Sequence, residues 1–215
     1  ETATIKRISF GQQMRQYPGL LASRRFWGYC ASAAFASGCF FAYLGGAPYV
    51  GTVVFGLSSS QIGLLFALTA IGYAAGNFIA GRFSVRLGMN RMVLIGSLVT
   101  TAGLSVLTLL TVLGLSGPIT FFALTIAMGL GNGIGLPSAN AGMLSVRPEL
   151  AGTASGLGGA ITIGGGAGLA ALAGALLPPG STEMPLVLLM LASSIASVLA
   201  ILAVIRRARA LGLGS

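Results

Sequence analysis

The chain reads as an all-α integral membrane protein of six spanning helices. Three observations carry that reading. Hydrophobic residues make up 55% of the 215 and charged residues only 7%, against roughly 25% in soluble domains. Mean hydropathy is +0.93. The charges also bound three long intervals, residues 26–81, 92–146 and 150–205, interrupted only by Glu183. Each interval holds two stretches of about 20 residues, the length of one crossing, with a turn between them.

Each element can be placed in order from these intervals and from turn chemistry. Residues 1–25 carry Lys6, Arg7, Arg15, Arg24 and Arg25. Between residues 5 and 25, apolar and basic residues mix around Pro18, which fits either a helix lying on the membrane surface or a solvated linker. Phe26, Trp27 and Tyr29 form an interfacial aromatic anchor that opens a first helix over 27–48. Gly45-Gly46-Ala47-Pro48 and Gly56-Leu57-Ser58-Ser59-Ser60 flank the bend before a second helix over 61–82. A third spans 92–114. Leu115-Ser116-Gly117-Pro118 turns the chain into a fourth over 119–141. A fifth follows over 153–177, and Pro178-Pro179-Gly180-Ser181 leads to a sixth over 185–205. Residues 206–215 are left as a basic tail. The three intervals thus predict three hairpins.

The sign of the charges sets the orientation. Twelve Lys or Arg stand against three acids, Glu1, Glu149 and Glu183. All twelve cations fall in the N-terminal segment, the second–third and fourth–fifth connections, or the tail, and none in the three opposite turns. By the positive-inside rule both termini face the cytoplasm, as expected for an inner-membrane protein. Cations dispersed between apolar stretches do not make a nucleic-acid surface. With no His and no Asp, the chain lacks a near-neutral general base, a His ligand and an Asp pair. Gly152-Thr-Ala-Ser-Gly156 does not fit a Gly-x-Ser-x-Gly nucleophile turn. The reading is a non-enzyme without metal or cofactor.

Several residues stand out inside the spans. Phe40 and Tyr43 on the first helix offer aromatic surface to an apolar ligand, or to ordinary packing. Asn132 sits near the middle of the fourth helix, where an amide must find a partner or face water. It either lines a pore or makes an interhelical hydrogen bond. Pro137 removes a backbone donor and is expected to kink that helix. Glycines four apart (Gly72 and Gly76, Gly129 and Gly133, Gly131 and Gly135, Gly152 and Gly156, Gly164 and Gly168) make small faces on which helices approach closely. Gly152 and Gly156 open a fifth helix so poor in side chains that it suits sliding or bending against a neighbour. No charged side chain lies within the interior of a span, so this segment has no obvious proton carrier. Cys30 and Cys39 lie about 180° apart on one helix and read as buried small hydrophobes.

The second–third connection, Gly81-Arg-Phe-Ser-Val-Arg-Leu-Gly-Met-Asn-Arg91, resembles the cytoplasmic loop motif of the major facilitator superfamily, Gly-x-x-x-Asp-x-x-Gly-Arg-Arg/Lys. Gly81, Arg86, Gly88 and Arg91 match. Val85 stands where the family often has Asp, and Met89 and Asn90 replace the basic pair, as in the second-half copy. Further runs resemble its bicyclomycin-resistance type of multidrug efflux transporter. They are Phe40-Phe-Ala-Tyr-Leu-Gly-Gly-Ala-Pro-Tyr-Val50, Gly56-Leu-Ser-x-x-Gln-Ile-Gly-Leu-Leu-Phe66, Gly76-Asn77, Leu136-Pro-Ser-Ala-Asn-Ala141 and Ala151-Gly-Thr-Ala-Ser-Gly156.

The resemblance implies a 3+3 inverted repeat forming one half of a twelve-helix fold, namely helices seven to twelve. Residues 1–25 would end the inter-half linker, which agrees with a chain that opens on Glu-Thr-Ala. It further implies proton-coupled efflux of small amphipathic drugs by alternating access. The first and fourth helices would line the cavity through Phe40, Tyr43 and Asn132. Arg82, Arg86 and Arg91 would hold an inner gate, and protons would be handled by the N-terminal half, with which this one would pair unless it forms a homodimer. Sugar or metabolite transport by the same architecture is one alternative, and a six-helix channel subunit or structural scaffold is another.

Overall fold

A computed structural model describes residues 18–212. The surface-helix or linker reading of residues 5–25 falls mostly outside the described residues. A short helical turn at 18–21 precedes six long helices. They are α1 (Arg24–Tyr49), α2 (Ser59–Leu87), α3 (Met89–Val112), α4 (Pro118–Ser145), α5 (Ala151–Ala175) and α6 (Met184–Ala210). All six are long and apolar enough to cross a membrane. The chain is a multi-pass membrane protein.

Local chemistry fixes the helix ends. Ser23 caps α1, its hydroxyl accepting from the Phe26 amide at 3.4 Å. At α2, Gly56 turns the chain at φ 65°. Ser58 and Gln61 then form a reciprocal capping box, with the Gln61 side chain accepting from the Ser58 amide at 2.9 Å. Gly88 alone separates α2 from α3, at φ 81° and ψ 155°, a region open essentially to glycine. Pro118 starts α4 and Pro185 sits in the first turn of α6, where a missing amide proton costs nothing.

The helices run past their sequence-derived limits at several ends. Beyond Pro48, α1 continues as a π-helical turn, Val50–Val54. The Gly45-Gly46-Ala47-Pro48 run therefore lies inside the span, and the chain leaves the helix only at Phe55. At the other end of the chain, Arg206, Arg207 and Arg209 stand on α6 itself, so the basic tail begins as helix.

Packing departs from three simple hairpins. The extensive contacts of α1 are with α5 and α6, and those of α4 are with α2 and α3; α1 also crosses α4, and α3 crosses α6. Within their sequence hairpins, α5 and α6 touch little. Exchanging α1 with α4, α2 with α5 and α3 with α6 leaves this pattern unchanged, the relation expected of two inverted three-helix repeats. The physical reason lies in the small residues. Cβ atoms added to Gly72 and Gly76 would run into the α4 backbone at Ile126 and Leu130, and one added to Gly96 would meet Gly131 and Gly135. Thus α4 presents Gly129 and Gly133 to α2, and Gly131 to α3.

Gly152 and Gly156 make no such contact. A Cβ at either would meet nothing within 4 Å, and the same holds for Gly164 and Gly168. The expectation that these pairs pack is corrected for this chain: α5 docks through Gly158, against Met143, and Gly166, against Phe41. The reason is that α5 rests on α1 by its other side.

Two large apolar clusters fill most of the bundle, with a small third of Ala80, Met92 and Ile134 between α2, α3 and α4. One gathers Tyr43, Leu107, Phe121, Phe122 and Leu186 at the end opposite the arginines. The other gathers Phe26, Tyr29, Leu150 and Val204 at the basic end. Between them, buried Ser197 on α6 lies 3.1 Å from both the Ser32 hydroxyl of α1 and the Ser97 hydroxyl of α3. Cys30 and Cys39 are free and buried, beside Met143 and Met128 respectively.

Candidate substrate cavity

A cavity of about 440 Å³ opens between α1, α2 and α4. Its wall brings together the three residues singled out for binding: Phe40 and Tyr43 from α1 and Asn132 from α4. No charged side chain lines it. Helical spacing explains the α1 contribution, since Phe40, Tyr43 and Leu44 recur at intervals of three and four and share a face.

The aromatic wall is built from edge-to-face and tilted ring contacts. The Tyr43 ring meets Phe66 of α2 at 4.9 Å between centroids and 82° between planes. Phe40 lies 6.4 Å from Tyr43. Phe41 also lines the cavity, and its ring rests where Gly166 of α5 has no side chain. Such pairs stiffen a wall that presents π-faces and ring edges to a ligand.

Polar groups are few and already engaged. Asn132 is 4% exposed, and its Nδ2 donates to the Ala36 carbonyl of α1 at 3.1 Å. The amide therefore ties α4 to α1 while standing at the cavity wall. The Tyr43 hydroxyl lies 3.4 Å from Thr69 Oγ1, which lies 2.7 Å from Thr125 Oγ1. Thr125 is in turn 2.7 Å from the Phe122 carbonyl. Each hydroxyl has one proton. Either Thr125 donates to Phe122 and receives from Thr69, or the protons all turn the other way and Thr69 donates to Tyr43.

Sequence reasoning did not find Phe66, Thr69 or Tyr73 as wall residues. Thr69 and Tyr73 lie four apart on α2, with Phe66 three before Thr69. That periodic stripe was visible in the sequence, but nothing there said which helix it would face.

The loop motif occupies the basic end. Arg82 and Arg86 close α2 and Arg91 opens α3; all three are exposed. None makes a hydrogen bond or ion pair among the described residues. Val85, at the family's Asp position, is 92% exposed. Gly81 has open space around it, and Gly88 supplies the turn. Pro137 lies within an α4 that continues to Ser145. It lines a groove of about 390 Å³ with Gly81, Val85 and Met89, which joins the α4 proline to the loop motif.

Six membrane-spanning helices in exchanged triplets around an uncharged central cavity define a membrane transporter bundle. Residues 26–213 match the profile of the Major Facilitator Superfamily, and the chain belongs to that family of membrane transporters. It is similar to the uncharacterized MFS-type transporter YdgK of Bacillus subtilis (strain 168), with 32% identity over 123 residues. That match covers 56% of this chain and 30% of the relative, so the chain spans well under two thirds of the relative's length. No solved structure matches it.

Proposed function

We propose that this chain is the C-terminal six-helix half of a secondary transporter that expels small amphipathic, aromatic molecules by alternating access. The observation that carries the reading is the cavity of about 440 Å³, walled by Phe40, Phe41, Tyr43 and Phe66 and free of charged side chains. An apolar aromatic wall favours a ligand that is itself flat and apolar, and its few hydroxyl and amide groups tolerate varied polar substituents. Sugars need several paired hydrogen-bond partners, which this wall does not supply.

The remaining parts of the reading follow from the architecture. The N-terminal half would dock on α2 and α5, the two helices least buried here, at 22% and 17%. It would also carry the proton-responsive acids, because the described spans contain none. Arg82, Arg86 and Arg91 would gate the cytoplasmic mouth against that half, having no partner among the described residues. The positive-inside rule supports a cytoplasmic basic end, and an inner-membrane location is part of the same reading.

Ligand-induced stabilisation of the purified chain tests the binding part, since a ligand that binds only the folded state raises the melting temperature. Neutral amphipathic aromatics are expected to raise it, and Phe40→Ala to abolish the rise. A rise with sugars and none with aromatics would instead favour metabolite transport.

A further inference from the structure

The basic end carries a groove that the central cavity does not use. It runs between the first turn of α1 and the last turns of α6, with a volume of about 480 Å³. Arg24, Arg206 and Arg207 rim it, and Leu199, Leu202 and Ala203 form its floor. On α6, Leu199, Ala203 and Arg206 are spaced by four and three residues. They make one outward track, apolar along its length and cationic at its end.

The three guanidinium groups have no ion pair among the described residues. Of the described acids, Glu149 is paired with Arg147 at 3.4 Å, and Glu183 stands before the opposite end of α6. The positive end of the α1 dipole adds to the same field. One turn along α1 from Arg24, Trp27 is 44% exposed, with its indole Nε1 donating to the Leu21 carbonyl at 2.6 Å. An exposed, anchored indole is typical of the level where headgroups begin.

We propose that this groove binds an anionic phospholipid. Its phosphodiester is held by Arg24, Arg206 and Arg207, and an acyl chain lies along Leu199 and Ala203. Guanidinium forks match phosphate oxygens, and basic pockets between helices at the cytoplasmic face suit acidic headgroups. Orientation by charge asks only for cations at this end of the bundle. It does not ask for an apolar track leading up to three of them. The track also selects a lipid over free phosphate, which has nothing to lay on Leu199 and Ala203.

The test is lipid retention by the purified 215-residue chain, read by native mass spectrometry after exchange into mixed micelles of phosphatidylglycerol and phosphatidylcholine. Wild type is expected to retain phosphatidylglycerol preferentially, and millimolar inorganic phosphate not to displace it. Arg24→Gln with Arg206→Gln is expected to weaken retention by about fivefold per arginine. Arg86→Gln, the same change of charge at the same end but outside the groove, is expected to leave it unchanged. Ala203→Trp keeps every charge and fills the floor, and is also expected to reduce retention. Equal loss from Arg86→Gln, full retention by Ala203→Trp, displacement by phosphate, or no preference in wild type would each overturn the proposal.

Discussion

The Nδ2 of Asn132 donates to the carbonyl of Ala36 at 3.1 Å, joining the first helices of the two triplets across the centre of the bundle. Ala36 stands one helical turn before Phe40, so the bond holds the cavity's aromatic wall against α4. Replacing Asn132 by Leu removes the bond while roughly conserving volume. Interhelical bonds of this kind contribute about 1 kcal/mol in membranes. Asn132→Leu is expected to lower unfolding stability by about that amount, measured by denaturation in mixed micelles, and to weaken binding of aromatic ligands.

Close helix crossings predict a sharp contrast between two glycines. A Cβ on Gly133 would strike the α2 backbone at Tyr73 and Asn77, whereas one on Gly156 meets nothing within 4 Å. Gly133→Ala is expected to cost at least about 1–3 kcal/mol, the usual range for overpacking. Gly156→Ala is expected to stay within about 0.5 kcal/mol of wild type. The same unfolding measurement on the isolated chain compares them.

Gly88 tests the turn of the loop motif. At φ 81° and ψ 155° a side chain is strained whatever space it finds. Gly88→Ala is expected to cost about 1–3 kcal/mol, whereas Gly81→Ala, in open space within α2, is expected to be neutral or slightly stabilising. Equal effects in thermal unfolding would show that Gly88 does not impose the turn.

The arginines of that loop predict a separation of stability from transport. Arg86 is exposed and has no ion pair among the described residues, so Arg86→Ala is expected to change unfolding stability by less than about 0.5 kcal/mol. Under the proposed function, the same change in a twelve-helix transporter containing this chain is expected to reduce efflux, the other half supplying the contact. Efflux and melting temperature measured on the same variant decide the point.

Tyr43, Thr69 and Thr125 form the buried hydroxyl run. Thr69→Val breaks it in the middle and is expected to cost more than Tyr43→Phe, which removes only the 3.4 Å end contact. A hydrogen bond contributes about 1 kcal/mol on average, so the difference is expected to be of that order in the same unfolding assay.

Much of the fold was legible because a bilayer imposes a simple code. Uncharged intervals delimited the six spans, and glycine, serine and proline marked most ends. The capping box of Ser58 and Gln61 was written in the Gly56-Leu-Ser-x-x-Gln run. Partner choice was not legible from hydropathy, since every face of these helices is apolar and sequence neighbours look equally suitable. The backbone approaches of Gly96 to Gly131 and of Gly76 to Gly133 settle it, and they depend on geometry that spacing alone does not specify. For the same reason Gly152 and Gly156 looked like packing glycines and Thr69 did not look like a wall residue. Phe40 and Tyr43 stand out in the sequence as aromatic surface and Asn132 as a mid-span amide, and the three share one cavity.

The exchange of helices between triplets has a consequence for biogenesis. Ser32 reaches Ser197 across 165 positions of chain, so α1 enters the membrane long before its partner α6 has been made. Until α4 and α5 follow, it must persist as an inserted but unassembled helix, with the Asn132 bond still unmade. Neither triplet is a folding unit by itself, because each first helix spends its contacts on the other. A nick between α3 and α4 would therefore leave two pieces that hold together, and a chain stopped before α4 would leave α1 searching for a neighbour in the lipid.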